Sequence, residues 1–416
     1  MPKFTHESNK IIYANLTSQS KLENPVANLN HLGLLVLHIS EGCNMSCSYC
    51  FADKGQYGES KKKFMSFETA KKAIDGALDI YREIKAVKFF GGEPFINISL
   101  MESVCDYFRT LVDNGRLDSI PDFYAVTNLT IYNNRVKAYL NKNNIHLVGS
   151  IDGPQVIHDK HRIFTNGNGT FDLIDKNIQE MRAECSQPKV LEVVYTPEHQ
   201  RLGFSMIDLH AYLSERYQIK DIAIHPQTGV QLIKDNEYQL KLRELSEEYS
   251  FFKFQSAVRL RDLNKIKSVF EHYCMNIQED SLCGLGVNML TIKANGNIYP
   301  CYTLSGFEEY KMASSFYNIG EHFTHVQNQF LSNKKTEIQE CSKCDILKTC
   351  KSCPGSMMQD NGSISKPLNL LCQYNIGSTE GIIASINATR SSAEQWDIVM
   401  NAITNPSDEQ MAQKFT

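Results

Sequence analysis

No apolar run in the sequence approaches the roughly 18 residues that a membrane-spanning helix needs, so no membrane span and no membrane partner are expected. The opening stretch, Met1 to Glu7, lacks the charged-then-apolar layout of a signal peptide, and a cytoplasmic location is expected. Charge of one sign is also in short supply. The formal net charge is −4, which argues against a dedicated nucleic-acid binder. There is no low-complexity tract and no internal repeat longer than a βα unit. Tryptophan is nearly missing, with Trp396 the only one. What is present is a chain of 416 residues, 42% hydrophobic. That composition excludes disorder for the bulk, and the length suffices for a sizeable core and two or three domains.

Cysteine is abundant, with 13 residues. In a reducing compartment disulfides are not expected, and clustered thiols there point to metal or catalysis. Three fall at Cys43, Cys47 and Cys50, and seven more lie between Cys283 and Cys372.

Between these groups the pattern alternates. Short apolar runs at Leu34–Ile39, 86–90, Phe123–Val126, His146–Ile151, Val190–Tyr195 and Asp221–His225 read as strands. Helical patterns separate them: from a Ser66 cap to about Ile84, then 98–113, 131–142, 171–184 and 205–217. Such alternation implies a parallel α/β sheet with crossover helices, and such folds place their chemistry at strand ends. Residues 1–30 form an extension with a strand-like run at Ile11–Leu16. Residues 229–273 read as a charged helical linker, 274–372 as a cysteine-rich unit, and 373–416 as a tail with a helix at Gly381–Ile386.

The first strand runs into Cys43-x3-Cys47-x2-Cys50. Three soft thiolates suit iron–sulfur or zinc. A closed zinc site needs a fourth ligand, which His38 could supply. A four-iron cube held by three cysteines keeps one iron open. This motif, with Tyr49 inside it at the end of the first strand of a βα series, resembles the radical S-adenosylmethionine (SAM) family. Gly91-Gly92-Glu93-Pro94, closing the second strand, resembles that family's glycine-rich motif. Asn128 closes the third strand. Ser150 and Asp152 close the fourth, with Arg162 following.

The resemblance implies a partial (β/α)6 barrel over residues 31–228. It implies that Cys43, Cys47 and Cys50 are the catalytic, cluster-binding thiolates, and that Gly91, Gly92, Glu93 and Pro94 grip the SAM amino group. It further implies that Ser150 and Asp152 line the SAM site and that Arg162 meets the SAM carboxylate, a bidentate task suited to guanidinium. Val194 falls where it would pack on the adenine. A bound [4Fe–4S] cluster would reductively cleave SAM to a 5′-deoxyadenosyl radical that abstracts hydrogen from an unactivated carbon.

The second group reads Cys283-x12-Gly296-x4-Cys301, then Cys341-x2-Cys344-x5-Cys350-x2-Cys353 and Cys372. Ile292–Tyr299 suggests a hairpin around Asn295-Gly296. Five residues between the CxxC pairs fall short of the 15–20 of a zinc ribbon. Seven cysteines and Cys274 suit two four-iron clusters better. The arrangement resembles the SPASM extension of peptide-modifying radical SAM enzymes, departing in its last spacing, x2 for the usual x3. That resemblance implies one auxiliary cluster on Cys274, Cys283, Cys301 and Cys353. It implies a second on Cys341, Cys344, Cys350 and Cys372. Cys105 and Cys185 are left as small apolar residues inside helices.

Auxiliary clusters imply a net two-electron oxidation. The expected substrate is a ribosomal precursor peptide that receives a thioether or carbon–carbon crosslink. A flavodoxin or ferredoxin would supply electrons, and a separate leader-peptide recognition protein is a further expected partner. Sulfatase maturation through formylglycine is the alternative, although Tyr302 stands where that family has an Asp after the cysteine. A non-catalytic iron–sulfur electron carrier or zinc-binding module leaves the glycine-rich motif and the βα series unexplained. Asp152, Glu192 and Asp221 lie near strand ends, and nothing in the sequence selects one as a base.

Overall fold

The computed structural model describes residues 3–23, 31–57, 63–229, 235–274 and 277–404. After α1 (Glu7–Leu16) and β1 (Lys21–Glu23) come β2 (His31–Glu41), the two-residue β3 (Lys63–Phe64) and α2 (Phe67–Tyr81). The alternation continues through β4 (Glu83–Gly91), α3 (Ile98–Asp113), β5 (Asp122–Thr127), α4 (Asn134–Lys142) and β6 (Ile145–Ser150). Next are α5 (Gln155–His161), α6 (Phe171–Cys185), β7 (Val190–Tyr195), α7 (Pro197–Arg201), α8 (Met206–Tyr217) and β8 (Asp221–Pro226).

All six expected strands form, and β2, β4, β5, β6, β7 and β8 lie side by side in that order, every pair parallel. Parallel strands buried on both faces need crossover helices to cover them. α2 shows how the sequence supplies one. Ser66 caps it, its hydroxyl accepting from the Thr69 N–H at 3.0 Å. Ala70, Ala73, Ile74, Ala77 and Leu78 then recur at helical spacing and are buried against the sheet.

The main sheet runs on into the cysteine-rich segment, while β9 (Ile277–Glu279) pairs with β1 in a separate two-stranded sheet. β10 (Met289–Ile292) adds in parallel to β2, and β11 (Ile298–Tyr299) folds back on β10 through the Asn295-Gly296 turn, where Gly296 takes a φ of +91°. The long α9 (Asn236–Arg259) and α10 (Leu263–Cys274) precede this segment. α11 (Glu321–Leu331), α12 (Pro354–Asn361), α13 (Asn369–Arg390) and α14 (Ala393–Ile403) complete the chain.

Two expectations are corrected. The run Ile11–Leu16 is helical, lying within α1, because Tyr13 and Leu16 are drawn into a second apolar cluster with Phe254, Ile266 and Phe270. A short apolar run does not by itself distinguish strand from helix, and tertiary burial decides. The tail helix extends far beyond Gly381–Ile386. Gly377 and Gly381 lie against the backbone of α9, where a Cβ on Gly381 would come 3.0 Å from the Phe251 nitrogen. These glycines permit close helix packing, sealed by the Arg243–Glu380 ion pair at 2.8 Å with Glu380 fully buried. Among the described residues no helix is long and apolar enough to cross a membrane. The sequence also holds a basic run, Lys61-Lys62-Lys63, expected as a solvated face or a dock for an acidic electron donor, of which Lys61 and Lys62 lie outside the described residues.

Candidate radical SAM site and cysteine groups

β2 delivers its C-terminal end into the loop of Cys43, Cys47 and Cys50, and all three thiols open onto one cavity of about 310 Å³. That volume lies within the range of small-molecule sites. The loop is held on two sides. Its Ser46 and Ser48 N–H groups donate to the Ile163 and His161 carbonyls at 2.8 and 3.0 Å, which fixes it to the segment carrying Arg162. Asn44 donates to Thr130 at 2.8 Å and accepts from Asn128 at 2.9 Å, which fixes it to the end of β5.

The Gly91-Gly92 turn packs backbone to backbone against the same loop. The Gly92 N–H donates to the Ser40 carbonyl at 2.7 Å, and the Glu93 N–H donates to the Gly42 carbonyl at 3.1 Å. Gly91 has a φ of +137°, a conformation side chains resist, and a Cβ on Gly92 would lie 2.8 Å from the Cys43 nitrogen.

Gly91, Gly92, Asn128, Ser150, Arg162, Val194 and Tyr49 line the cavity with the three cysteines. Glu93, Pro94 and Asp152 stand behind that lining and are buried. The Glu93 carboxylate accepts from the Phe95 N–H at 3.0 Å, the Thr127 hydroxyl at 2.8 Å and the Asn128 N–H at 2.7 Å. It thereby ties the glycine turn to β5. Burial raises its pKa to about 7 against the pull of those donors. The Tyr49 hydroxyl donates to Asp152 and accepts from Arg162 Nη1 at 3.0 Å. The Val194 N–H donates to Asp152 at 3.2 Å. Arg162 Nε is buried with no hydrogen-bond partner, an uncompensated donor of the kind a bound anion satisfies.

The thiols fit a metal-bound role chemically. Burial, Glu93 and the neighbouring Cys47 push the Cys43 thiol up to about 12, and burial raises Cys47 although Arg162 draws it down. Packed thiolates repel one another, and bound metal charge reverses that penalty. His38 does not line the cavity. It is fully buried, its ring 4.5 Å from that of Tyr57, and burial lowers its pKa to about 3. Among the described residues no three His, Cys, Asp or Glu side chains converge on a single-ion site. Donors around a four-iron cluster stand further apart than those around one ion.

The remaining cysteines fall into two groups. Cys341, Cys344, Cys350 and Cys372 line one cavity with Lys335, Ile346 and Met357. Cys283, Cys301 and Cys353 interact with one another, burial and the other two raising Cys283 to about 12. Cys353 thus leaves its sequence neighbours for the trio near the sheet, its Sγ accepting from the Ser356 N–H at 3.4 Å as α12 begins. None of the thirteen cysteines forms a disulfide. Cys105 is buried within α3, as expected of a small apolar residue, and Cys185 closes α6.

Cys274 lies in the second apolar cluster, which Cys344 and Cys350 border. It continues the stripe Ile266, Phe270, Cys274 along α10. Cys274→Ala is therefore expected to leave iron content unchanged and to lower stability by about 1–2 kcal/mol. Iron assay and urea unfolding check this, and a loss of iron would return Cys274 to the ligand set.

Sequence reading missed Lys88 and left Glu192 and Tyr302 without roles, and all three line the cavity. The signal was present: Lys88 sits inside an apolar strand, two residues from Phe90 and so on the same face.

Residues 37–199 match the family model of the Radical SAM superfamily. The chain carries a radical SAM domain, and that domain implies SAM and a [4Fe–4S] cluster. The uncharacterized protein MJ0907 of Methanocaldococcus jannaschii is 35% identical over 142 residues, 34% of this chain but only 46% of that protein. A cysteine-type anaerobic sulfatase-maturating enzyme of Clostridium novyi is 23% identical over 350 residues, covering 78% of this chain and 88% of that one. The radical SAM cyclopropyl synthase TigE of Paramaledivibacter caminithermalis is 20% identical over 345 residues, 79% and 69% of the respective chains. Among solved structures, native anSMEcpe with bound AdoMet matches at a TM-score of 0.66 and 19% identity, over 86% of this chain and 99% of that one. Streptococcus suis SuiB bound to precursor peptide SuiA matches at 0.53 and 17%, over 83% and 76%. These structures share the α/β fold.

Proposed function

We propose that this chain is a peptide-modifying radical SAM enzyme that oxidises a ribosomal precursor peptide, forming a thioether or carbon–carbon crosslink. The observation that carries this reading is the extent of one cavity. Cys43, Cys47 and Cys50 stand at one side of it, and Tyr302, next to Cys301, lines it too. A substrate held there touches both the first cysteine loop and the edge of the cysteine-rich unit. SuiB and TigE, as relatives named for a precursor peptide and a cyclopropyl synthesis, support it.

In this reading residues 31–228 form a partial (β/α)6 barrel and 274–372 a SPASM unit. When bound, SAM and the cluster on Cys43, Cys47 and Cys50 supply a hydrogen-abstracting radical. Arg162, oriented by Tyr49 and Asp152, holds the SAM carboxylate. Gly91 and Gly92 leave room for its amino group, with Glu93 fixing their turn. Ser150 and Val194 border the rest of the ligand. Cys341, Cys344, Cys350 and Cys372 hold one auxiliary cluster, and Cys283, Cys301 and Cys353 hold the other. A flavodoxin or ferredoxin supplies electrons. The leader is held by a separate protein or by a groove edged by the N-terminal extension and the 235–273 helices.

Anaerobic co-expression with a small cysteine-bearing peptide encoded beside the gene tests this by mass spectrometry. Loss of two hydrogens, localised by fragmentation, is the expected result. An unmodified peptide despite SAM cleavage would favour the second reading, formylglycine formation on a sulfatase, which the Clostridium novyi relative supports.

A further inference from the structure

The cavity contains a cation that its own walls do not match. Lys88 reaches into it from β4, its Nζ 5.1 Å from the Phe90 ring centre and 5.0 Å from that of Tyr302. Both are cation–π distances, and the two rings pack on each other at 4.5 Å. Among the described residues the Lys88 ammonium makes no hydrogen bond and no ion pair. Burial holds its pKa below the ordinary lysine range, with Glu192 and Cys301 pulling the other way. Glu192 also lies 3.5 Å from His225 Nε2. Arg162, a second cation in the cavity, donates to Tyr49.

A half-buried ammonium lacking an acceptor is disfavoured, and ring faces offset only part of that cost. A neutral carbonyl satisfies the donor but not the charge, whereas a carboxylate satisfies both.

We propose that Lys88 is a substrate-recognition residue whose ammonium, set against the Phe90 and Tyr302 rings, takes a carboxylate of the bound peptide. This rests on the reading of the cavity as a peptide site. The carboxylate belongs either to an Asp or Glu side chain or to the peptide's C-terminus.

The test uses the iron-loaded full chain, kept anaerobic, with three probes: acetyl-Gly-Asp-Gly-amide, acetyl-Gly-Asn-Gly-amide and acetyl-Gly-Gly-Gly with a free C-terminus. A short acetic anhydride pulse labels amines, and mass spectrometry follows the fragment holding Lys88. One of the acidic probes should slow Lys88 acetylation by about fivefold or more, and the Asn probe should leave it unchanged. Protection by the Asp probe assigns a side chain, and protection by the free acid assigns the C-terminus. Equal protection by the Asn probe, or no protection, overturns the proposal.

Calorimetry supplies a second readout. Lys88→Met should bind the protecting probe about tenfold more weakly, with Lys88→Arg recovering part of the affinity. SAM affinity should be unchanged in Lys88→Met, because a fall would assign Lys88 to the cofactor instead. SAM cleavage is measured separately. Its absence would overturn the enzyme reading, while cleavage without protection would overturn only this inference.

Discussion

Cys47→Ala should abolish SAM cleavage while the protein still folds and keeps most of its iron. If three four-iron clusters are present, iron content should fall by roughly a third. The reason lies in the packing. Cys47 lines the cavity and is not part of the apolar core, so removing its sulfur would take away one of the three proposed cluster ligands without opening a core void. Two thiolates are too few for a cluster that must also keep an iron open to SAM. The other cysteine groups stand in separate surroundings, four around their own cavity and three near Tyr302. Metal analysis, electron paramagnetic resonance of the reduced protein and 5′-deoxyadenosine formation check the outcome together. Full iron content with lost cleavage would mean that Cys47 serves the chemistry without holding metal.

Gly92→Ala is expected to be nearly as damaging, for a steric reason. The added methyl group would run into the Gly42 carbonyl and lie 2.8 Å from the Cys43 nitrogen. These atoms belong to the single Gly42–Cys43 peptide unit, which cannot swing away as a flexible side chain would. Either the glycine turn or the cysteine loop must shift, at a cost of about 1–3 kcal/mol in stability. A displacement of about 1 Å at the reacting centre can cost about 100-fold in rate. SAM affinity and cleavage rate should fall together. Gly320→Ala makes the matched control, since nothing lies within 4 Å of its would-be Cβ. Wild-type cleavage in Gly92→Ala would show that the turn tolerates movement and that its glycines serve another end.

The sheet was legible because its signal is local. Short apolar runs ending in turns, separated by amphipathic stretches, locate β2, β4, β5, β6, β7 and β8 to within a few residues. The first cysteine loop and the glycine turn were legible for the same reason, since each is a contiguous motif at a strand end. What was hidden depends on contacts distant in sequence. Tyr13 and Leu16 are helical because α10 and the far C-terminal helices bury them. The helix expected at Gly381–Ile386 extends upstream through Gly377 because both glycines let it lie against α9. Spacing alone cannot reveal that Cys353 turns away from Cys350 toward Cys283 and Cys301, nor that Cys274 continues an apolar stripe. Lys88 was readable as an oddity, a lysine within an apolar strand, but its two aromatic neighbours come from different parts of the chain.

The pairing of β10 with β2 has a consequence for how the molecule is held together. β2 carries the loop of Cys43, Cys47 and Cys50, and with β10 in place it is an interior strand, its backbone donors and acceptors shared with partners on both sides. A chain cut after residue 228 would leave β2 at a margin, with a row of unmet N–H and C=O groups beside the cysteine loop. Such margins invite other chains to add on. The cysteine-rich segment therefore acts as a selvedge, finishing the cloth of the sheet at the border where the reactive loop begins.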